Sequence, residues 1–250
     1  MANAEPGPGE TLVLARGQGR HGEVALRRRG QAGTVVHELI VNGVFAMDST
    51  ETSSERELAR FVPTGTAGAR VLVGGLGLGY TAAEVLDQPN AAEGRVDVVE
   101  LEPQLVGWAR AGLTPVLSRV AGDPRTRLHV ADISDVLRGA AEPSGPWDAI
   151  LLDVDNGPDF LIHADNRGLY GRQTLQSGYD RLTPGGVLAI WCQGPAPALL
   201  ETLQTIAPSA QEHRYAVSRE GREFSYLIYT VIRAAGPSRR VAPSPDAEQQ

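Results

Sequence analysis

The chain has 250 residues, 42% of them hydrophobic, a formal net charge of −7 and a pI near 5.3. This apolar content is enough for a buried core, whereas the acidic balance argues against a general nucleic-acid binder. The apolar runs are far shorter than the ~20 residues of a membrane span, the first residues lack a signal-peptide pattern, and the single cysteine excludes an intrachain disulfide. We therefore expect a cytoplasmic protein that binds neither membranes nor nucleic acid.

The N-terminal part predicts a small antiparallel β-domain over residues 11–48. Short β-branched or alternating runs are separated there by turn sequences such as Asn42-Gly43. Residues 1–10 and 236–250 are rich in Pro, Gly, Ser and charge, so we predict that they are disordered tails. Residues 49–62 open with Ser, Thr and Glu, which predicts a helix.

The rest of residues 49–235 alternates strands and helices about five times, and we assign it to one α/β domain. Buried-type apolar strands are each followed by a helical pattern. This order is typical of a doubly wound, mostly parallel sheet, here predicted with seven strands. Two last strands around residues 219–222 predict a hairpin that adds an antiparallel edge.

The stretch VLVGGLGLGYTAAEVL places Gly74, Gly75, Gly77 and Gly79 at the carboxyl end of the first strand of this domain. Bare backbone at a strand end allows a tight turn and the close approach of a ligand. Close packing between helix and strand also selects glycine. The spacing is GGxGxG rather than the GxGxxG of dinucleotide-binding proteins, so we predict a nucleotide-like ligand and place dinucleotide binding second.

Two acids end the next two strands. Glu100 lies 21 residues after Gly79, where a carboxylate can accept hydrogen bonds from ribose hydroxyls. Asp132 ends the third strand, where it can hold the amino group of a base. We assign both to the ligand site with their neighbours Leu101 and Ile133; the alternative is that the two acids only cap the following helices.

A polar turn follows the fourth strand and contains Asp153, Asp155, Asn156 and Asp159. Acids grouped at a ligand edge repel one another, which raises the pKa of at least one of them. Such a group suits proton removal or the binding of a cationic substrate, although acid-rich turns are also ordinary loop chemistry. We predict that Asp153 and Asp155 are catalytic, and that Asn156 and the nearby His163 contact the acceptor.

These segments resemble the spermidine synthase family of aminopropyltransferases, which shares the class I S-adenosylmethionine methyltransferase fold. The resemblance covers about residues 39–232 and is carried by VLVGGLGLG, VVELEP, VAD and LLDVDNGP. It implies that Glu100 holds the ribose, that Asp132 holds the adenine amino group, and that Asp153 is the base acting on the acceptor. It also implies roles for Tyr170 and Glu57 in substrate binding, and a homodimer.

The chain departs from the family pattern in the polyamine half of the site. The family Asp that handles the aminopropyl amine of the donor is Gly77 here, and the glutamine expected near the donor is Ala46. The Tyr-His pair of the polyamine pocket is Glu55 and Arg56. These changes favour methyl transfer from S-adenosylmethionine to a small-molecule nucleophile; the alternative is aminopropyl transfer from decarboxylated S-adenosylmethionine.

Other classes of function have weaker support. A non-catalytic adenosyl-binding protein would retain the fold without turnover. A nicotinamide oxidoreductase lacks a Tyr-x-x-x-Lys relay, since the chain contains no lysine. The five histidines have no metal-ligand spacing, so we predict no metal site, and we expect Cys192, Trp108 and Trp191 to belong to the core.

Overall fold

The computed structural model describes residues 9–20, 22–31, 34–65, 67–154, 157–158, 164–219 and 222–235. The first four strands are β1 (Thr11–Gly19), β2 (Gly22–Gln31), β3 (Thr34–Val41) and β4 (Val44–Asp48). The other strands are β5 (Arg70–Gly74), β6 (Arg95–Glu100), β7 (Thr126–Val130), β8 (Trp147–Leu152), β9 (Leu182–Cys192), β10 (Gln211–Arg219) and β11 (Arg222–Ile232). Residues 1–8 of the N-terminal tail predicted for residues 1–10, and the whole tail predicted for residues 236–250, lie outside the described residues. Gly9 and Glu10 are described, and their backbones exchange hydrogen bonds with Gly30.

The α-helices lie between these strands, and none in the described ranges is long and apolar enough to cross a membrane. They are α1 (Ser53–Ala59), α2 (Tyr80–Asp87), α3 (Pro103–Arg110), α4 (Pro115–Gly122), α5 (Ile133–Arg138), α6 (Arg172–Asp180) and α7 (Pro197–Ile206). Short 3-10 helices occur at Pro89–Ala91 and Ala164–Tyr170.

The strands form two sheets. The first is antiparallel with the order β1-β2-β3-β4, and the second has seven strands in the order β10-β11-β9-β8-β5-β6-β7. Strands β9, β8, β5, β6 and β7 pair in parallel, whereas β10 and β11 form the antiparallel edge. The predicted fold class, a mostly parallel seven-stranded sheet with a small antiparallel N-terminal sheet, is confirmed.

The large sheet is buried on both faces, which explains its uninterrupted apolar strands. Val71 and Val73 pack into one core and Leu72 into the other, because successive side chains of a strand point to opposite faces. The first core also contains Leu26 and Leu39 of the small sheet. The two sheets therefore share one hydrophobic core.

Helix α4 was not predicted from the sequence, although its start carries two signals. The hydroxyl oxygen of Thr114 accepts the backbone N–H of Leu117 at 3.2 Å, and proline occupies the first helical position. The sequence Thr183-Pro184-Gly185-Gly186 also differs from expectation, since it lies inside β9 instead of before it. Backbone hydrogen bonds between Arg233 and both glycines keep this segment in the sheet.

Candidate active site

A cavity of about 170 Å³ lies at the carboxyl ends of the parallel strands. The small sheet supplies part of its wall through Leu39, Val41, Ala46 and Met47. This contribution was not predicted, because nothing in the local pattern of β3 and β4 indicates which part of the large sheet they cover. The cavity therefore depends on the packing of both sheets.

Two of the four predicted glycines line this cavity. Gly75 has φ +90°, and a Cβ atom there would lie 2.1 Å from the Asp153 carbonyl oxygen. Gly77 has φ +48°, and a Cβ atom there would lie 2.7 Å from the Met47 sulfur. The Asp153 carbonyl excludes a side chain at Gly75, and the positive φ favours glycine at both positions, so the turn presents bare backbone to the cavity.

The other two glycines serve packing instead. A Cβ atom on Gly74 would lie 2.9 Å from a side-chain carbon of Ile133. Gly79 precedes α2 with φ +91°, a left-handed conformation that favours glycine. Both explanations considered for the glycine cluster, ligand approach and close packing, therefore apply to different members of it.

Glu100 ties the end of β6 to the glycine turn. Its side chain is 8% exposed, and its two carboxylate oxygens accept the backbone N–H groups of Leu76 and Glu102, each at 2.8 Å. Burial raises the pKa of Glu100, while these two amide donors oppose the rise. A carboxylate has about four acceptor positions, so Glu100 keeps capacity for ligand hydroxyls at the cavity wall.

Asp132 both caps a helix and lines the cavity. Its Oδ1 accepts the backbone N–H of Ser134 at 2.7 Å at the start of α5. Leu101 and Ile133 line the same cavity as Asp132 and Glu100. The structure thus brings together all four residues predicted for the nucleoside half of the site.

Asp153 follows β8 and is half-buried at the cavity wall. Its backbone N–H donates to the Gly74 carbonyl at 2.8 Å, and its Oδ2 accepts the Thr81 hydroxyl at 2.6 Å. Burial raises the pKa of Asp153, and the Thr81 hydrogen bond partly offsets this. Asp153 therefore has the position and the raised proton affinity of a base.

Glu55 is the cavity residue that sequence analysis undervalued. It lies on α1, is 8% exposed, and accepts the Ser54 hydroxyl at 2.7 Å. Its pKa is raised to about 7, mainly by burial and secondly by the charge of Asp153. Its departure from the family pattern was visible in the sequence, but its burial beside the predicted base was not.

Other predicted contacts lie elsewhere in the described structure. Glu57 pairs with Arg60 at 2.6 Å, and Tyr170 packs in the second core with Leu169 and Leu175. Neither is among the described cavity-lining residues. Three further predicted site residues lie outside the described residues: Asp155, Asn156 and His163.

The cavity wall is strongly acidic. Its described lining residues include five acids and no Arg, Lys or His; the acids are Glu55, Glu100, Glu102, Asp132 and Asp153. No group of His, Cys, Asp or Glu suited to a metal ion occurs within the described ranges.

Trp191, expected in the core, is partly exposed and lines the cavity. Its buried indole N–H has no acceptor among the described residues.

Comparison with known proteins identifies relatives over part of the chain, while no family model matches. A polyamine aminopropyltransferase of Mycobacterium tuberculosis is 33% identical over 134 residues, which are 53% of this chain and 24% of the relative. Polyamine aminopropyltransferase 2 of Streptomyces coelicolor is 32% identical over 171 residues, 68% of this chain and 29% of the relative. The chain thus spans less than a third of the length of these two relatives.

A solved structure supports the fold over a larger region. A spermidine synthase in complex with the transition-state analogue AdoDATO matches with a TM-score of 0.69 and 18% identity. The match covers 90% of this chain and 75% of that protein. At this identity the likeness concerns the fold.

Proposed function

We propose that this chain, which is spermidine synthase-like in sequence and fold, transfers an aminopropyl group from decarboxylated S-adenosylmethionine to an amine of the polyamine class. The acidic cavity wall carries the proposal, because its described residues include five acids and no Arg, Lys or His. The carboxylate of S-adenosylmethionine would add a negative charge there, whereas the decarboxylated donor and a polyamine are cations. The names of the relatives, polyamine aminopropyltransferases, support aminopropyl transfer in polyamine chemistry.

The nucleoside half of the site is assigned to the glycine turn and two strand-end acids. Glu100 is placed to accept hydrogen bonds from ribose hydroxyls, next to the bare backbone of Gly75. Asp132 retains one oxygen that is not used in capping α5, and this oxygen can accept a hydrogen bond from the amino group of adenine. These residues would hold the donor while leaving its sulfonium near Asp153.

Asp153 is assigned as the base. It accepts a proton from the acceptor ammonium, which frees the nitrogen lone pair for attack. The donor, when bound, supplies a carbon activated by its sulfonium, and the electrons of the broken C–S bond remain on sulfur as a neutral thioether. The cavity positions the two reactants for this in-line step.

Methyl transfer, which the sequence favoured, retains one supporting observation. Gly77 provides no carboxylate for an aminopropyl amine, and the Met47 sulfur occupies the space where a side chain at position 77 would begin. The relatives do not support this choice, so we place methyl transfer second. A homodimer and a cytoplasmic location stay predictions from the sequence.

The first test is calorimetric titration with decarboxylated S-adenosylmethionine, S-adenosylmethionine and methylthioadenosine. We expect the decarboxylated donor to bind more tightly than the carboxylated one. Asp132→Asn keeps a capping oxygen but removes the charge, and should weaken all three ligands at least tenfold. Asp135→Asn on the same helix, where Asp135 pairs with Arg138 outside the cavity, is the matched control and should bind normally.

The outcomes separate the candidate functions. Tighter binding of S-adenosylmethionine than of its decarboxylated form would reverse the order and favour methyl transfer. If the folded protein binds none of the three, the assignment of the cavity as an adenosyl site is wrong. Formation of methylthioadenosine in the presence of putrescine and the decarboxylated donor would establish the reaction itself.

A further inference from the structure

Two carboxylates reach one cavity from separate elements of the fold. Glu55 comes from α1 and is 8% exposed, while Asp153 follows β8. Each is held by a hydroxyl donor, Ser54 at 2.7 Å and Thr81 at 2.6 Å respectively. In the described part of the chain neither acid forms an ion pair with an Arg or a His.

The arginine next to Glu55 in the chain forms its contacts outside the cavity. Arg56, the next residue, pairs with Glu84 at 3.1 Å and lies over the Tyr80 ring at 5.9 Å. Because Arg56 is half-exposed and directed to this partner, it does not neutralise the cavity. Since no Arg, Lys or His is among the described cavity-lining residues, a proton or a ligand can supply the compensating positive charge.

Buried carboxylates without a cationic partner are unfavourable unless a proton or a cation compensates them. Burial raises the pKa of both acids, that of Glu55 to about 7. Near neutral pH Glu55 is therefore partly protonated in the empty cavity. A bound ammonium group can replace that proton by a positive charge and charge-assisted hydrogen bonds.

The glycine turn has no carboxylate of its own for a cation. Position 77 is glycine, and the Met47 sulfur lies 2.7 Å from where its Cβ atom would be. We infer that Glu55 and Asp153 together form a binding site for a primary ammonium group, with Glu55 supplying from α1 the carboxylate that the turn lacks. The inference rests on the proposed function, since it concerns the same cavity.

The expected binding depends on pH. The charged and titratable groups that act on Glu55 or its immediate surroundings are Asp153, Glu51, Tyr80, Arg56 and Asp48. A primary ammonium with a pKa near that of lysine, about 10.4, stays protonated up to pH 8. Glu55, whose pKa is about 7, is more fully ionised at pH 8 than at pH 6, so the site should bind the cation more tightly at pH 8.

Two ligands present this chemistry: the acceptor amine and the aminopropyl amine of the donor. Putrescine titrated into protein saturated with methylthioadenosine tests the acceptor. Decarboxylated S-adenosylmethionine, compared with methylthioadenosine, which lacks that amine, tests the donor. The variant is Glu55→Gln, and the matched control is Asp135→Asn, which removes an acid on α5 that pairs with Arg138 and does not line the cavity.

We expect Glu55→Gln to weaken at least one of the two cations tenfold or more at pH 8, with a smaller effect at pH 6. Methylthioadenosine should bind the variant normally, and Asp135→Asn should match the wild type throughout. A loss confined to putrescine assigns the pair to the acceptor, and a loss confined to the decarboxylated donor assigns it to the donor tail.

Other results overturn the inference. It is wrong if Glu55→Gln binds both cations as the wild type does, or if the wild type binds methylthioadenosine but neither cation. Failure to bind methylthioadenosine would instead contradict the proposed function. In that case putrescine titrated into nucleoside-free protein still decides whether Glu55 and Asp153 bind an ammonium group.

Discussion

Glu55 combines nearly complete burial with a carboxylate, so its contribution to stability depends on pH. Its pKa rises from the usual 4.5 to about 7 in the folded chain, first through burial and then through the charge of Asp153. A group whose pKa is raised by folding contributes stability that is complete below its unfolded pKa. That contribution is lost as pH rises through the folded pKa, here between about pH 5 and pH 8.

Glu55→Gln should therefore stabilise the ligand-free protein at pH 8 but change it little at pH 5. The gain in the free energy of unfolding is expected to approach about 3 kcal/mol at pH 8, because an ionised buried group is removed. Urea denaturation at both pH values measures it. An equal effect of the substitution at pH 5 and pH 8 would contradict the raised pKa, and Glu84→Gln serves as the surface control.

At the scale of elements, the short helix α4 packs against the glycine turn near Gly79. Side-chain carbons of Val116 and Leu117 each lie 3.4 Å from where a Cβ atom on Gly79 would be. The helix therefore packs in van der Waals range of the start of α2, while the positive φ of Gly79 favours glycine there. Eight residues give too little periodicity to separate this helix from a loop in the sequence, and the contact with Gly79 exists only in the folded chain.

The start of α4 provides a test at this scale. Thr114 is buried, and Thr114→Ala removes the acceptor for the Leu117 N–H, which should lower the free energy of unfolding by about 1 kcal/mol. The control is Thr202→Ala on α7, where an exposed hydroxyl donates to the Ala198 carbonyl within the helix. That change should stay within about 0.5 kcal/mol. Similar values for the two variants in urea denaturation would show that the cap contributes nothing.

At the scale of the whole molecule, the shared core predicts that the two sheets unfold together. Leu26 of the small sheet is fully buried in the core that also contains Val71 and Val73. Leu26→Ala should lower the free energy of unfolding by about 2–5 kcal/mol. Leu12→Ala on β1, where Leu12 is 41% exposed, should have little effect.

Tryptophan fluorescence reports this coupling selectively, because all three tryptophans lie in residues 49–235. If the sheets are cooperative, Leu26→Ala lowers the midpoint seen by fluorescence as much as the midpoint seen by far-UV circular dichroism. A fluorescence midpoint that stays at the wild-type value, with earlier loss of the dichroism signal, would mean that the small sheet unfolds independently.

Local pattern in the sequence was sufficient for the architecture and for half of the site. Apolar strands alternating with helices predicted the parallel sheet, and the structure confirms it. Glu100, Asp132 and Asp153 were found because each lies at the end of a parallel strand or within two residues after it, and such strand ends meet at one edge. The resemblance to the spermidine synthase family, carried by the same segments, is confirmed by the relatives and the fold.

Only the tertiary structure brought residues together from elements whose relative placement no local pattern encodes. Met47 lies against Gly77 because the small sheet packs over the glycine turn, and Glu55 is buried near Asp153 because α1 closes the cavity. Both contacts join the chain across distances at which periodicity carries no information. The sequence by itself thus determined the strand-end acids of the cavity, whereas the packing of the small sheet and α1 over the glycine turn decided which further side chains line it.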